Sequence, residues 1–418
     1  MKKLKQGNLL KNTVMLYVLQ FSTYFFSLVT VPYQTRVLGP QIYGTIGVAI
    51  AVMTYFQLFM DFGFILSATE DVSKNRNDRE YLNRKLTSIT ILKGFLAVIS
   101  ITVMTLMCLF IPKFHSHIKL YLIYIFAYAI NAFIPDYMYR GIEQMTAITV
   151  RTVIVKAFFT VMIFVFLKSD ADYLVMPILL LIGNTFAVVF AYTHLNKKLG
   201  FKFSKVTFDD LKRDFKRSLN FFYSRIATTV YSTANTVILG FVDTTGVVTG
   251  YYTSADKILS TAKNGLSPIS DSLYPYMIKN KDFKLCKKVL LLFMPIIIIG
   301  CTVVGIFAEP LCVFVFGKEY AGVAPVLRAM LPAVCAILPS FVLGFPTLGA
   351  MGLSKYANTS IIAGTVTHIV GLTILFLTHN VGAVTLAMMT SISEWAILIF
   401  RFVIVYKNRH IFNGKSEG

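Results

Sequence analysis

The sequence predicts an all-α integral membrane protein with about twelve transmembrane helices. Three observations carry that prediction. First, 56% of the 418 residues are hydrophobic and 14% are charged, which is more apolar surface than a soluble fold of this length can hide. Second, the apolar residues gather in runs close to the roughly 20 residues that a helix needs to cross a bilayer. Third, Lys and Arg collect in alternate linkers, as expected for segments that alternate between two faces of a membrane.

Taken in order, the first six spans lie near 12–34, 42–67, 87–112, 119–135, 147–167 and 172–194. The second six lie near 218–241, 248–275, 289–308, 325–348, 357–378 and 381–405. The basic start "MKKLKQ" runs into an apolar stretch that reaches about Val37. That stretch is too long for the apolar core of a cleavable signal, so none is expected. The linkers are short. The longest, "LNKKLGFKFSKVTFDDLKRDFKR" at 195–217, divides the chain into an N-terminal lobe at 1–196, a linker at 197–217 and a C-terminal lobe at 218–418. Pro32, Pro40, Pro135, Pro268, Pro332, Pro339 and Pro346 stand where helices are expected to bend or end.

Charge tests the count. With the N-terminus in the cytoplasm, the inside segments hold 27 Lys and Arg and the outside segments five, namely Arg36, Lys113, Lys119, Lys168 and Lys318. A miscounted span would exchange inside for outside and spoil that split. Both termini and 195–217 are therefore expected to be cytoplasmic. The formal charge of +20 is accounted for by these loops, and no nucleic-acid partner is expected. Cys108, Cys286, Cys301, Cys312 and Cys335 stand singly, mostly in apolar runs. They read as core residues, not as a disulfide or zinc framework. No P-loop, HExxH or GxSxG motif is present.

The two halves echo each other. "GIEQMTAITVRTVIVKAFFTVMIFVFL" at 141–167 aligns with "GLSKYANTSIIAGTVTHIVGLTILFLT" at 352–378, and "VLGPQIYGTIGV" at 37–48 with "ILGFVDTTGVVTG" at 238–250. An even number of spans per half gives two copies of one orientation, a common transporter plan with the substrate site between the halves. Within the second segment, "GVVTG" at 246–250 fits a close-packing GxxxG pattern.

The first two spans of each half carry polar stripes at helical spacing. Gln20, Tyr24, Ser27 and Gln34 mark span 1, and Thr54, Gln57 and Asp61 mark span 2. Arg225, Thr228, Thr229, Ser232 and Asn235 mark span 7. Span 8 has Thr253, Lys257, Ser260, Thr261 and Asn264, with Asp256 beside them. Such faces avoid lipid, because a charge at mid-bilayer costs at least ~2.5–3.5 kcal/mol. Two readings stand. Ser, Thr, Asn and Gln bond neighbouring helices in many membrane proteins, and for any one of them here that is the plainer account. A water-filled cavity accounts better for Arg225 and Lys257, whose available partners are Asp61, Asp256 and Glu394. Cations exceed acids, and a net positive cavity suits an anion such as phosphate. His368 reads as a satisfied packing residue, not a proton relay.

The N-terminal quarter carries a family resemblance. "VPYQTRVLGPQIYG" at 31–44 resembles the entry motif of the Wzx-type polysaccharide-biosynthesis flippases, and "DFGFILSATEDVSKNRND" at 61–78 resembles the segment closing their span 2. "GYYTSADKI" and "SLYPYM" are similar to their span 8. The resemblance implies a MATE-like fold of two six-helix lobes around a central cavity. It also implies export of an undecaprenyl-pyrophosphate-linked oligosaccharide such as an O-antigen unit. The unit passes from the cytoplasmic to the periplasmic leaflet of a bacterial inner membrane by alternating access. No cofactor is implied. The coupling ion is left open between a proton and sodium, and an O-antigen polymerase complex is a further partner on this reading, besides membrane lipids.

The substrate-binding set expected on this basis is Arg36, Gln57, Asp61, Arg140, Arg225, Asn235, Asp256 and Lys257. Arg36 carries two readings of its own, an interfacial anchor or a phosphate contact at the outward mouth. Two other functions compete. A MATE-type exporter of small cations favours an acidic cavity. A polymerase or ligase of the same pathway is expected to present a large periplasmic loop, and this chain has only short outside linkers.

Overall fold

A computed structural model describes the backbone of residues 2–413, and the side chains of these except 2–11, 13, 224, 227, 228, 230–232, 412 and 413. Among the described residues every regular element is helical. The α-helices are α1 (Lys2–Asp61), α2 (Phe64–Lys74), α3 (Arg79–Phe110), α4 (Pro112–His115), α5 (Ile118–Ala132), α6 (Asp136–Gly141), α7 (Met145–Phe166) and α8 (Val175–Lys197). They continue as α9 (Phe208–Val242), α10 (Val247–Asn280), α11 (Phe283–Ile306), α12 (Ala308–Phe316), α13 (Val323–Val342), α14 (Ser354–Leu377), α15 (Ala383–Lys407) and α16 (His410–Asn413).

Among the described residues, nine helices are long and apolar enough to cross a membrane. The first of them, Val14–Lys74, runs through both of the first two expected spans and is broken at Gly39, with φ 66° and ψ 168°. Two expected spans, α9 and α10, do not meet the apolar criterion. They are the helices with the Arg225 and Lys257 stripes, and the described end of α9, Thr233–Val242, is apolar.

The chain forms two compact units. The first holds Met1–Gly39 and Ala49–Thr229, the second Pro40–Val48 and Val230–Gly418. Both α1 and α9 therefore contribute to each unit.

In the first unit, Phe62, Phe64, Val72, Leu82, Leu86, Ile89, Tyr137 and Tyr139 form a buried cluster. The start of α9 closes over it: Phe62 stacks on Phe215 and Phe222 at centroid distances of 4.4 and 4.5 Å. The α1–α2 corner needs Gly63, whose φ is 75°. A Cβ there would lie 2.8 Å from the Ser218 carbonyl oxygen. The segment before α9 is stitched to α3. The Lys202 amide donates to Asn83 Oδ1 at 3.0 Å and the Ser204 amide to Thr87 Oγ1 at 2.9 Å. Arg79 lies over the Phe201 ring and donates to the Leu199 carbonyl.

In the second unit, Pro40–Val48 packs on the start of α10 through glycine. A Cβ on Gly44 would strike the Gly246 carbonyl and the Gly250 amide, and one on Gly250 would strike the Pro40 carbonyl. The GxxxG pattern at 246–250 is thus a backbone-to-backbone contact, as such patterns allow. The two segments that align in the sequence touch each other here. The corner before α10 is built by Asp243. Its Oδ1 accepts from the Thr245 amide and hydroxyl at 2.9 and 2.8 Å, and its Oδ2 from those of Thr249 at 2.8 and 3.0 Å. Pro268, Pro332 and Pro339 lie inside helices, and Pro346 lies in a π-helical turn at Leu343–Gly349. All five cysteines are free thiols.

Candidate functional site

In the first unit, Arg36 is exposed on the first segment of α1. Gln57 is half-buried on the second segment, and its Oε1 is shielded from solvent with no hydrogen-bond partner. Asp61 ends α1, 3.9 Å from the Nζ of Lys93. Lys93 is buried and donates to the Ala132 carbonyl at 2.5 Å. Arg140 is exposed on α6 and lines a 390 Å³ groove with Glu70, Thr69 and Ser73. Arg225 is half-buried on α9. Thr228 and Ser232 of its stripe lie outside the described residues.

In the second unit, Asn235 is 3% exposed. Its Nδ2 lies 2.9 Å from the Tyr252 hydroxyl and 3.0 Å from Thr390 Oγ1, and its Oδ1 lies 2.9 Å from His368 Nε2. His368 Nδ1 in turn lies 3.0 Å from Ser393 Oγ. This uncharged network ties α9, α10, α14 and α15 together, the role in helix packing that such side chains often play. Lys257 is exposed on α10, and Asp256 beside it lies 3.5 Å from the Ser260 hydroxyl. One turn further on, Lys263 pairs with Glu394 of α15 at 2.8 Å.

Of the expected residues, the structure joins Asp61 to Lys93, Asn235 to the His368 network and Asp256 to Ser260. It leaves Arg36, Arg140 and Lys257 with exposed side chains. Both acids of the set are thus partly engaged by neighbours, and exposed charge on the expected residues is cationic. Each of these cations can by itself hold an anionic group by charge-assisted hydrogen bonds.

Sequence reasoning missed a second set of charges. Lys85 Nζ lies 2.8 Å from Asp71 Oδ2 and 2.5 Å from Asp214 Oδ1, and all three side chains are at most 4% exposed. Ser88 donates to the other Asp214 oxygen at 2.7 Å, and Arg217 lies 2.5 Å from Asp71. A parallel pair joins Arg151 to Asp136 at 2.8 Å. A signal was present. Lys85 and Ser88 fall on the same helical face as Leu82, Leu86 and Ile89, an apolar face that a solvated loop does not need.

Comparison with known proteins adds the following. The polysaccharide biosynthesis protein family matches residues 9–281. A protein of Escherichia coli (strain K12) described as "Putative O-antigen transporter" is 26% identical over 268 residues, 64% of this chain and 64% of that protein's length. A protein of Shigella dysenteriae with the same description is 25% identical over 367 residues, 86% of this chain and 91% of its own. Among solved structures, the lipid II flippase MurJ in an inward closed conformation superposes with a TM-score of 0.71 at 14% identity, covering 95% of this chain and 87% of that one. An inward-facing multidrug resistance MATE family transporter of the MOP superfamily gives 0.66 at 13% identity, covering 94% and 96%. At such identities the superpositions speak for fold alone, and that fold is MATE-like.

Proposed function

This chain belongs to the polysaccharide biosynthesis protein family, and we propose that it flips an undecaprenyl-pyrophosphate-linked oligosaccharide from the cytoplasmic to the periplasmic leaflet of a bacterial inner membrane. The chain is a multi-pass membrane transporter, not an enzyme. Its described relatives are named as O-antigen transporters, which supports a glycan cargo. The observation that carries the reading is the placement of cations. Arg225 and Lys257 stand on α9 and α10, the first two helices of the second half, on stripes that also carry Thr, Ser and Asn. We assign Arg225, Lys257 and the exposed Arg36 to contacts with pyrophosphate. Asn235 serves as a helix fastener close to them in sequence. A guanidinium matches phosphate in two parallel hydrogen bonds. Ser, Thr and Asn on the same stripes suit sugar hydroxyls. A cation exporter fits less well, since Asp61 faces Lys93 and Glu394 holds Lys263. The mechanism we assign is alternating access.

The test is complementation of surface polysaccharide in a strain lacking its own flippase. Arg225→Ala and Lys257→Ala are each expected to lower the polysaccharide at least ~10-fold, a loss of about 1.4 kcal/mol of interaction, at unchanged protein level in the membrane. Arg225→Lys is expected to recover only part, because it lacks the planar fork. Full activity in both Ala variants would refute the assignment. The same cells report orientation. In a background without native cysteines, an impermeant thiol reagent should label Lys318→Cys and not Lys205→Cys, and the opposite pattern would overturn the direction of transport.

A further inference from the structure

The second unit carries a groove along α13 and α15 that the reading above leaves unused. It holds 880 Å³, at the large end of ligand pockets. Its walls are Pro325, Pro332, Met388, Ile392, Trp395 and Ile399, and the small side chains of Ala329 and Ala396 leave the hollow. The polar groups along it are already satisfied. Ser391 donates to the Ala329 carbonyl at 2.6 Å, and Trp395, the chain's one tryptophan, donates its indole N–H to the Pro332 carbonyl at 3.0 Å. One charge remains, Arg328, exposed on the same wall. Its Nε donates to the Gly305 carbonyl at 2.9 Å, which fixes the guanidinium and leaves the Nη groups for a ligand. Among the described residues no carboxylate oxygen lies within 4.0 Å of the Arg328 guanidinium.

The dimensions are those of a lipid chain. From Met388 to Ile399 the groove follows α15 for ~16 Å by helix rise. That is about half of the ~30 Å hydrocarbon core, the depth of one leaflet. Arg328 lies ~7 Å from the start of α13 at Val323, near the level of lipid headgroups. The site therefore offers an apolar trough with a guanidinium at its shallow end.

We propose that this groove binds the polyprenyl chain of a polyprenyl pyrophosphate lipid, with a phosphate on Arg328. The proposal rests on the flippase reading above. A guanidinium favours phosphate over other headgroup chemistry. The occupant is a single-chain lipid because there is one trough and one cation, whereas a bilayer phospholipid brings two chains. In the orientation proposed above, the Val323 end of α13 is periplasmic, so the groove holds the lipid after its headgroup has crossed.

Trp395 supplies the measurement. The full-length protein in phosphatidylcholine nanodiscs is titrated with undecaprenyl pyrophosphate bearing no sugar, and Trp395 emission is followed. A saturable change is expected, and phosphatidylglycerol at the same mole fraction should not reproduce or displace it. Arg328→Gln should weaken binding ~10-fold, and Arg328→Lys should weaken it less. Ala396→Phe, which fills the trough, should abolish the change. Ile374→Phe, on the exposed face of α14, should leave it intact. Thermal unfolding of each variant in the same nanodiscs shows which are folded, and Ala396→Phe against Ile374→Phe decides the matter even if the Arg328 variants unfold. A non-saturable response, equal competition by phosphatidylglycerol, or wild-type binding by a folded Ala396→Phe would each overturn the proposal. Complementation separates it from the parent reading. Saturable groove binding in a chain that restores no polysaccharide sinks the transport reading alone, and full transport with no groove binding sinks the groove alone.

Discussion

Lys85 and Arg401 are both buried cations, 3% and 7% exposed, yet they are held in different ways. Lys85, in the first unit, sits between two carboxylates, Asp71 and Asp214. Arg401, in the second, has neutral hydrogen-bond partners, and the Glu394 carboxylate acts on it only from beyond ion-pair distance. Its Nε donates to Ser360 Oγ at 2.8 Å, and its Nη1 to the Ser340 carbonyl at 2.6 Å and hydroxyl at 3.0 Å. The anion Asp243 repeats the second pattern, with Thr245 and Thr249 as its donors. Among the described residues of that unit, the pair Lys263–Glu394 is the exception. The comparison teaches where each unit is brittle. A charge held by a charge leaves an uncompensated partner when it is removed, which costs ~3–5 kcal/mol in a buried site. A charge held by dipoles leaves only hydrogen bonds unmade, and the cost of desolvating the charge disappears with it.

The largest expected effect follows from the first case. Lys85→Met strips Asp71 and Asp214 of their central cation, in the cluster that seats the start of α9 on α2 and α3. Unfolding in detergent should show a loss of ~3–5 kcal/mol. A loss below ~1 kcal/mol would mean that Arg217 and Ser88 carry these carboxylates unaided, and the contrast between units would fall.

A smaller effect is expected at Arg401. Its guanidinium also fills the space beside Gly344, where a Cβ would come within 2.8 Å of Nη1. Arg401→Met keeps much of that volume. It removes four hydrogen bonds, the longest from Nη2 to the Ala357 carbonyl, and one buried charge, terms of opposite sign, so the net loss should be ~1–2 kcal/mol. The same unfolding assay decides. A loss equal to that of Lys85→Met would show that Arg401 depends on a charge partner after all.

The membrane class could be read from the sequence, because apolar run length and Lys/Arg placement are local properties, whereas the MATE-like fold was legible only through the family resemblance of 31–44 and 61–78. The spans of α9 and α10 were found by pattern despite their polarity, since Arg225 and Lys257 recur at helical spacing with apolar residues around them. The partners of buried charges were not legible. Asp71, Lys85 and Asp214 come from three separate elements, and nothing in the local pattern of 208–218 says that Asp214 turns towards α3. For the same reason Asn235, expected in the substrate-binding set, is seen to be a fastener only once Tyr252, Thr390 and His368 are found around it. The glycine contact between 37–48 and 238–250 was visible only as similarity between the two segments. That they touch is a fact of packing.

The smallest effect expected from the comparison is at Asp243, in the corner between α9 and α10. Its carboxyl is 9% exposed. Burial alone raises its pKa, but the donors of Thr249 and Thr245 outweigh burial and hold it below its ordinary value of 3.8. A carboxylate whose pKa is lower folded than unfolded adds stability above the unfolded value, and that contribution is lost as pH falls through the folded one. Asp243→Asn keeps one acceptor oxygen and gives up the other along with the charge. At pH 7 it should cost about 1 kcal/mol, the scale of a lost capping interaction. Below about pH 4, near the unfolded value of an aspartate, the gap between wild type and variant should narrow, because the unfolded wild-type chain then takes up the proton, and it closes only below the lower folded value. Thermal unfolding of both proteins at pH 7 and at pH 3.5 measures the gap. A gap that stays constant between the two would show that the Asp243 carboxylate is not what the threonines stabilise. A gap that widens in acid would reverse the sign of the argument and place Asp243 with the charge-paired residues of the first unit.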